Sequence, residues 1–308
     1  MSAGWVAGSV RARAFVRRRL GAGRCRMLAS SDSLADALTM LADTSYGRDV
    51  AVGQSLAEAQ HAVAATFLWH LRVLAGWLPR DGVDLMRATA AWFEIANVDE
   101  LLHGFAEGSR EPSFHLGVLA TAWPRLAATH NPAELRAELA GSAWGDPGGE
   151  DPRAVRVGMR LSWMSRMPDV AGDEAARWAA GAAALLVAGE RFGAGRGIPG
   201  PLLPRAAALI GAPAIEAAGL PEMRQNLAAG ARWALAGIDD PADLWRAEAG
   251  WWARVERDGV SLLGGSGFSI KPVLGAVAVL AVDAWRVRAA LEMAARADAP
   301  IGGYDAIA

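Results

Sequence analysis

The stretch Phe93-Glu94-Ile95-Ala96-Asn97-Val98-Asp99-Glu100-Leu101-Leu102-His103-Gly104 is echoed near the C-terminus by Val282-Asp283-Ala284-Trp285-Arg286-Val287-Arg288-Ala289-Ala290-Leu291. In both, an acidic residue follows an apolar one, a polar residue stands three positions later, and then come valine and, four further on, leucine. At helical periodicity Glu94 with Asn97, and Asp283 with Arg286, share one face, while Val98 with Leu102 and Val287 with Leu291 share another. A repeated helix predicts a protein that stacks similar bundles, and so favours a shaped scaffold over a single catalytic pocket.

Outward from these two segments the pattern is helical almost throughout. Ser33-Leu34-Ala35-Asp36 has the form of an N-terminal capping box, opening a short helix that stops near Gly47, and Ser55-Leu56-Ala57-Glu58 repeats the signal before a longer one. In that longer helix Val63, Phe67, Leu71, Leu74 and Leu78 recur at spacings of three and four. Pro79-Arg80-Asp81-Gly82 breaks the chain, and a third helix runs to Gly104, completing a helical hairpin. Beyond Gly108, Pro112, Pro124, Pro132 and Pro147 interrupt shorter segments, with Gly145 to Pro152 read as an exposed loop. Helices are predicted again around Ala171–Arg191, Leu203–Ile210, Pro221–Ala236, Pro241–Arg257 and Pro272–Arg296, and no alternating strand pattern of convincing length appears. The expected fold is all-α, in three similar units over 1–110, 111–205 and 206–308.

Composition bounds the function classes. The 308 residues are 53% hydrophobic and 21% charged, enough apolar side chain for a large core or several smaller ones. A formal charge of −2 and a pI of about 6.2 provide no global basic field for nucleic acid. Cys25 is the only cysteine, so no internal disulfide forms and the chain reads as a reduced, cytosolic protein. A spanning helix needs roughly 20 apolar residues. The runs Ala179–Gly189 and Val273–Val282 stop short of that at Glu190 and Asp283. Arg11, Arg13, Arg17, Arg18, Arg19, Arg24 and Arg26 all precede the first acid, Asp32. Such a start fits a transit peptide, a membrane-surface helix or a folded helix with a solvated basic rim; Trp5, Ala12, Val16 and Leu20 lining one face favour the last.

Several constellations resemble chemistry. Asp239-Asp240-Pro241-Ala242-Asp243 matches the Asp-Asp-x-x-Asp arrangement with which all-helical terpene cyclases hold magnesium and diphosphate. Equally, Asp240 before Pro241 with Asp243 three residues on is a helix start, with a cap oxygen, proline at the first helical position and an acid near the positive end of the dipole. The second reading is preferred, because no second magnesium motif follows downstream. Gly193 to Gly200 follows a helix and lacks the strand context of a dinucleotide fingerprint, and Gly264 to Lys271 lacks the Gly-Lys-Ser/Thr order of a phosphate loop. His61, His70, His103, His115 and His130 show no paired metal spacing. Among thirteen tryptophans, Trp251 and Trp252 are adjacent and cannot face the same core, so one of them is expected near a partner or a second layer. No catalytic residue, metal ligand or cofactor is expected.

Val6-Ala7-Gly8-Ser9-Val10-Arg11-Ala12-Arg13 resembles the N-terminal signature of the C-type subunit family of V/A-type ATPases, whose eukaryotic vacuolar members are the d-type subunits. Leu41-Ala42-Asp43-Thr44-Ser45-Tyr46 is similar to its Leu…Thr-x-Tyr segment, Glu94 to Leu102 to its acidic-x-x-Asn-Leu/Val helix, and Leu274 to Leu291 to its closing helix. The resemblance covers most of the chain in order and approximate spacing. It implies a funnel of three similar helical bundles that caps a membrane rotor ring and receives the central shaft, on the cytoplasmic face of the cell membrane, without catalysis or a small-molecule substrate. On that expectation Arg11, Arg13, Arg286 and Arg288 lie on polar faces open to an acidic shaft tip or ring loop. The alternatives are a magnesium-dependent isoprenoid or terpene synthase using Asp239, Asp240 and Asp243, and a helical adaptor unrelated to rotary enzymes.

Overall fold

A computed structural model describes residues 2–108, 111–265, 267–296 and 301–306. Among these residues the chain is helical with no strand. In order the α-helices are α1 (Ala3–Arg17), α2 (Ala22–Ala29), α3 (Leu34–Ala42), α4 (Leu56–Ala75), α5 (Arg80–Glu107), α6 (Trp123–Leu126), α7 (Pro132–Ala140), α8 (Pro152–Ala188), α9 (Leu203–Ile210), α10 (Ala212–Glu216), α11 (Leu220–Asn226), α12 (Leu244–Leu263), α13 (Ile270–Ala294) and α14 (Gly302–Asp305). Short 3-10 turns occupy several of the connections.

The chain groups into two compact units, Met1–Val83 with Trp252–Ala308, and Asp84–Trp251. These do not coincide with the thirds read along the sequence, because the first unit joins the two ends of the chain. There α13 packs against α1, α2 and α4. Long α13 is apolar nearly all round, as a helix enclosed by others must be. Its Val287 and Leu291 are fully buried with Leu28, Leu38, Leu41 and Val63. In the second unit Ile95, Val98 and Leu102 of α5 meet Leu126, Leu135, Leu139, Val155 and Met159. The valine–leucine face expected on both echo segments is thus a core face in each unit.

Polar side chains set the helix starts. Ser33 accepts from Asp36 N, and Ser55 and Glu58 form a complete capping box. Asn131 accepts from Glu134 N and Asp151 from Ala154 N, each followed by a proline inside the first turn. Pro152 therefore opens a helix where the sequence pattern suggests only an interruption, and α8 begins well before Ala171. The helix turns sharply at Gly172, whose φ of 74° suits glycine. The preceding loop is less exposed than expected, since Trp144 and Pro147 are buried. A continuous helix over Pro221–Ala236 is also not formed: α11 stops at Asn226, Leu227 turns to an extended conformation, and Ala228 N pairs with Ile210 O at 2.8 Å.

Local structure repeats more deeply than the two echo segments. In the first unit Ser33 caps the nine-residue α3, Tyr46 follows thirteen residues after the cap, and Ser55 caps the next long helix. In the second, Asn131 caps the nine-residue α7, Trp144 again follows after thirteen, and Asp151 caps α8. Part of the pattern recurs after α11, where Trp233 is followed by Asp240-Pro241 at the same spacing that separates Trp144 from Asp151-Pro152, but Gly219 opens α11 without a side-chain cap and Trp233 donates to Gly230 O. Gly181 of α8 touches the Trp233 ring here so closely that a Cβ would come within 2.6 Å of it.

Candidate functional site

The two echo segments place one carboxylate each in a buried position, and both carboxylates do the same work. Glu94 of α5 is fully buried and accepts from Thr121 N at 2.7 Å, Ala122 N at 2.8 Å and Trp144 Nε1 at 2.7 Å. Asp283 of α13 accepts from Leu20 N at 3.0 Å, Gly21 N at 2.7 Å and the Tyr46 hydroxyl at 2.8 Å. Each therefore satisfies backbone donors just before a short helix, α6 or α2, where intrahelical acceptors do not exist. Each also fixes the aromatic residue that stands thirteen positions after a helix cap. Asn97, on the same face as Glu94, accepts from Phe114 N at 2.6 Å and donates to Phe114 O at 3.0 Å. These are structural anchors that hold connecting segments onto the long helices.

Nearby titratable groups are tuned by the same burial. Burial first, and then the Asp283 charge, pushes the Tyr46 phenol well above its ordinary value, so it stays a donor. Cys25 is pushed up to about 12 by burial and then by Asp283, which leaves a protonated thiol at neutral pH. Arg166 lies 4.4 Å above the Trp144 ring, beside the Glu94 anchor, and burial lowers its pKa against the opposing pull of Glu94.

The four arginines singled out in the sequence have different settings. Arg286 is 7% exposed and forms a two-pronged ion pair with Glu256 at 2.6 and 2.8 Å. Its place on the Asp283 face turns it inward, and the expectation of a partner-facing Arg286 is corrected accordingly. Arg288 is exposed, with one bond to Gln60 Oε1 at 3.3 Å. Half-buried Arg11 lies 4.4 Å over the Trp77 ring, and Arg13 donates to Gly265 O at 2.7 Å and Gly267 O at 3.3 Å. Arg26 is paired with Asp305 at 2.7 Å. The adjacent tryptophans diverge, as their adjacency requires: Trp251 Nε1 donates to Trp178 O at 2.9 Å within the second unit, while Trp252 stacks on Trp285 at 5.1 Å within the first.

The aspartate cluster takes the helix-start form. Asp240 accepts from Ala242 N at 2.8 Å as the cap of a short turn, Asp239 pairs with Arg224 at 2.9 Å, and Asp243 with Arg246 at 3.3 Å. Among the described residues no group of three His, Cys, Asp or Glu side chains is arranged to hold a metal ion. Asp240→Ala is expected to lower stability by about 1 kcal/mol through the lost cap. Adding magnesium with a prenyl diphosphate should leave the melting temperature of the wild type unchanged. A magnesium-dependent rise that Asp239→Ala with Asp243→Ala abolishes would restore the synthase reading.

The sequence pattern does not single out the aromatic anchors as a pair. Their signal is the fixed distance from a Ser or Asn cap to an aromatic residue, visible only once two copies are aligned. No family model matches the chain, and no curated protein is similar to it.

Proposed function

We propose that this chain is a non-catalytic connector of a rotary ATPase or ATP synthase of the V/A type, a central-stalk component that couples the shaft to the membrane rotor ring. The observation that carries the reading is the recurrence of one local design: long helix, anchored short helix, capped helix, aromatic anchor, capped long helix. Its presence in two units, Tyr46 with Asp283 and Trp144 with Glu94, supports the stacking of similar helical bundles that the sequence resemblance implies. A part that transmits torque needs stiff helices tied at their connections, and the buried carboxylates spend their hydrogen-bonding capacity on two backbone N–H groups and one aromatic side chain each, which stiffens structure. No described helix is long and apolar enough to cross a membrane; the proposal makes the chain a peripheral component on the cytoplasmic face.

Partner contacts in this proposal fall to the more exposed basic residues, Arg11, Arg13 and Arg288, while Arg286 is occupied by Glu256. Arg11→Glu together with Arg288→Glu should leave helicity and the melting temperature nearly unchanged, because glutamate forms helix about as well as arginine. Binding to purified shaft proteins or to the rotor ring should weaken, and wild-type binding should decline between low and moderate salt as exposed charges are screened. Undiminished, salt-independent binding of the double variant would remove these arginines from the contact.

A further inference from the structure

Among the described residues, one cation of the second unit has aromatic neighbours but no directly paired acid. Arg160 of α8 is half-buried, its Nε is sealed from solvent, and among the described residues it makes no hydrogen bond or ion pair. Its flanking arginines are engaged: Arg156 bonds both oxygens of Asp99 at 3.1 and 3.2 Å, and Arg153 pairs with Glu190. What Arg160 does touch is aromatic. Its guanidinium lies 5.3 Å from the ring centre of Trp92, and Trp92 packs at 5.3 Å on Trp163. Trp163 is held by a bond from its Nε1 to Ala88 O at 2.8 Å, whereas Trp92 is 40% exposed. A fixed cation thus stands beside an exposed aromatic face on a rigid helix pair.

An arginine whose Nε is sealed from solvent without a partner has given up part of its hydration for little in return. Burial accordingly lowers its pKa, partly offset by Asp99 and, more weakly, by Glu248 and Glu190. Asp99 and Glu190 are committed to Arg156 and Arg153, and exposed Glu248 acts on Arg160 only from a distance, so Arg160 has no directly paired carboxylate; a singly charged anion suits one guanidinium better than a phosphate dianion. The tryptophan walls favour an anion carried on an apolar body, and tryptophan and arginine are both enriched at protein-binding hot spots.

We infer that Arg160, Trp92 and Trp163 form a receptor for a carboxylate side chain presented by a protein partner, the guanidinium taking the carboxylate while Trp92 covers the adjoining apolar surface. The inference stands whether or not that partner is a rotary shaft.

The test follows the Arg160 Nε–Hε resonance by NMR, assigned by its loss in Arg160→Met. The probe is a capped alanine–leucine helical peptide bearing one glutamate, compared with the same peptide bearing glutamine and with inorganic phosphate. The glutamate peptide should shift the resonance saturably, the glutamine peptide should bind at least about tenfold more weakly, and Trp92→Ala should weaken binding while leaving the fold intact. Equal binding of both peptides, no shift with either, or phosphate displacing the peptide at equal concentration would overturn the assignment. Glu248→Gln should leave the free resonance in place; a shift as large as that made by the peptide would show an internal ion pair instead. Independently of any probe, Arg160→Met should leave the unfolding midpoint unchanged or raise it, whereas Arg156→Met should lower it by about 2–4 °C through loss of the Asp99 pair. A midpoint falling as far in Arg160→Met as in Arg156→Met would make Arg160 a structural residue and end the proposal.

Discussion

Glu94→Ala is expected to destabilise the protein by about 3–5 kcal/mol in urea unfolding. The carboxylate is fully buried and serves three donors, two of them backbone N–H groups and the third the Trp144 indole. Truncation strands all three, and it removes the negative charge that acts on the buried Arg166 guanidinium. Glu94→Gln should recover only part of the loss, because its amide offers one acceptor and turns a donor toward donors. Asp283→Ala should behave alike in the first unit, freeing Leu20 N, Gly21 N and the Tyr46 hydroxyl. Glu100→Ala is the control: its carboxylate makes a single exposed bond, to Glu111 N at 3.2 Å, and its loss should cost under about 1 kcal/mol. A Glu94→Ala effect as small as the control's would mean that the anchors do not hold the connections.

The second large effect is a dependence on pH centred on His70. This side chain is 7% exposed on α4, with its ring 4.5 Å from Phe15 and 5.3 Å from Trp69, and Arg48 lies over Trp69. Burial, and then the Arg48 charge, lowers its pKa from 6.5 to about 4. The unfolded chain then binds the proton more readily than the folded one, so stability is complete above about pH 6.5 and is lost as pH falls toward 4. The shift corresponds to about 3 kcal/mol at the acid end of that window. His70→Phe keeps an aromatic ring against Phe15 and Trp69 and cannot take the proton, so the difference between variant and wild-type stability should grow in favour of the variant from pH 6.5 down to 4. Parallel curves across that interval would place the titration elsewhere.

How much of this is legible in the sequence differs by element. Caps are legible because Ser33 with Asp36, Ser55 with Glu58 and Asp240 with Pro241 act within three residues, inside the reach of a local pattern. The core faces of α5 and α13 are legible for the same reason, through periodicity. Burial of Arg286 is not, because nothing local places Glu256 of α12 opposite it; an arginine on a helix reads as solvated until its partner is known. Nor is the grouping of the chain's two ends into one unit, which depends on α13 returning to α1, α2 and α4. The start of α8 at Pro152 is hidden for a different reason: proline reads locally as a breaker, although the first helical turn tolerates it. Among candidate site residues, the acidic members of the echo fall on the face that periodicity assigns them, but their task, tying backbone N–H groups ahead of α2 and α6, requires the three-dimensional return of those segments.

The proposed coupling between rotor parts is put to the test by native co-isolation. The tagged chain, purified from its own cells at low ionic strength under mild detergent, should bring down the shaft proteins of a rotary ATPase and the membrane ring at one copy of the chain per complex, with no ATP hydrolysis by the chain alone. Recovery of the chain free of both shaft and ring, or nucleotide turnover by the isolated protein, would contradict the account.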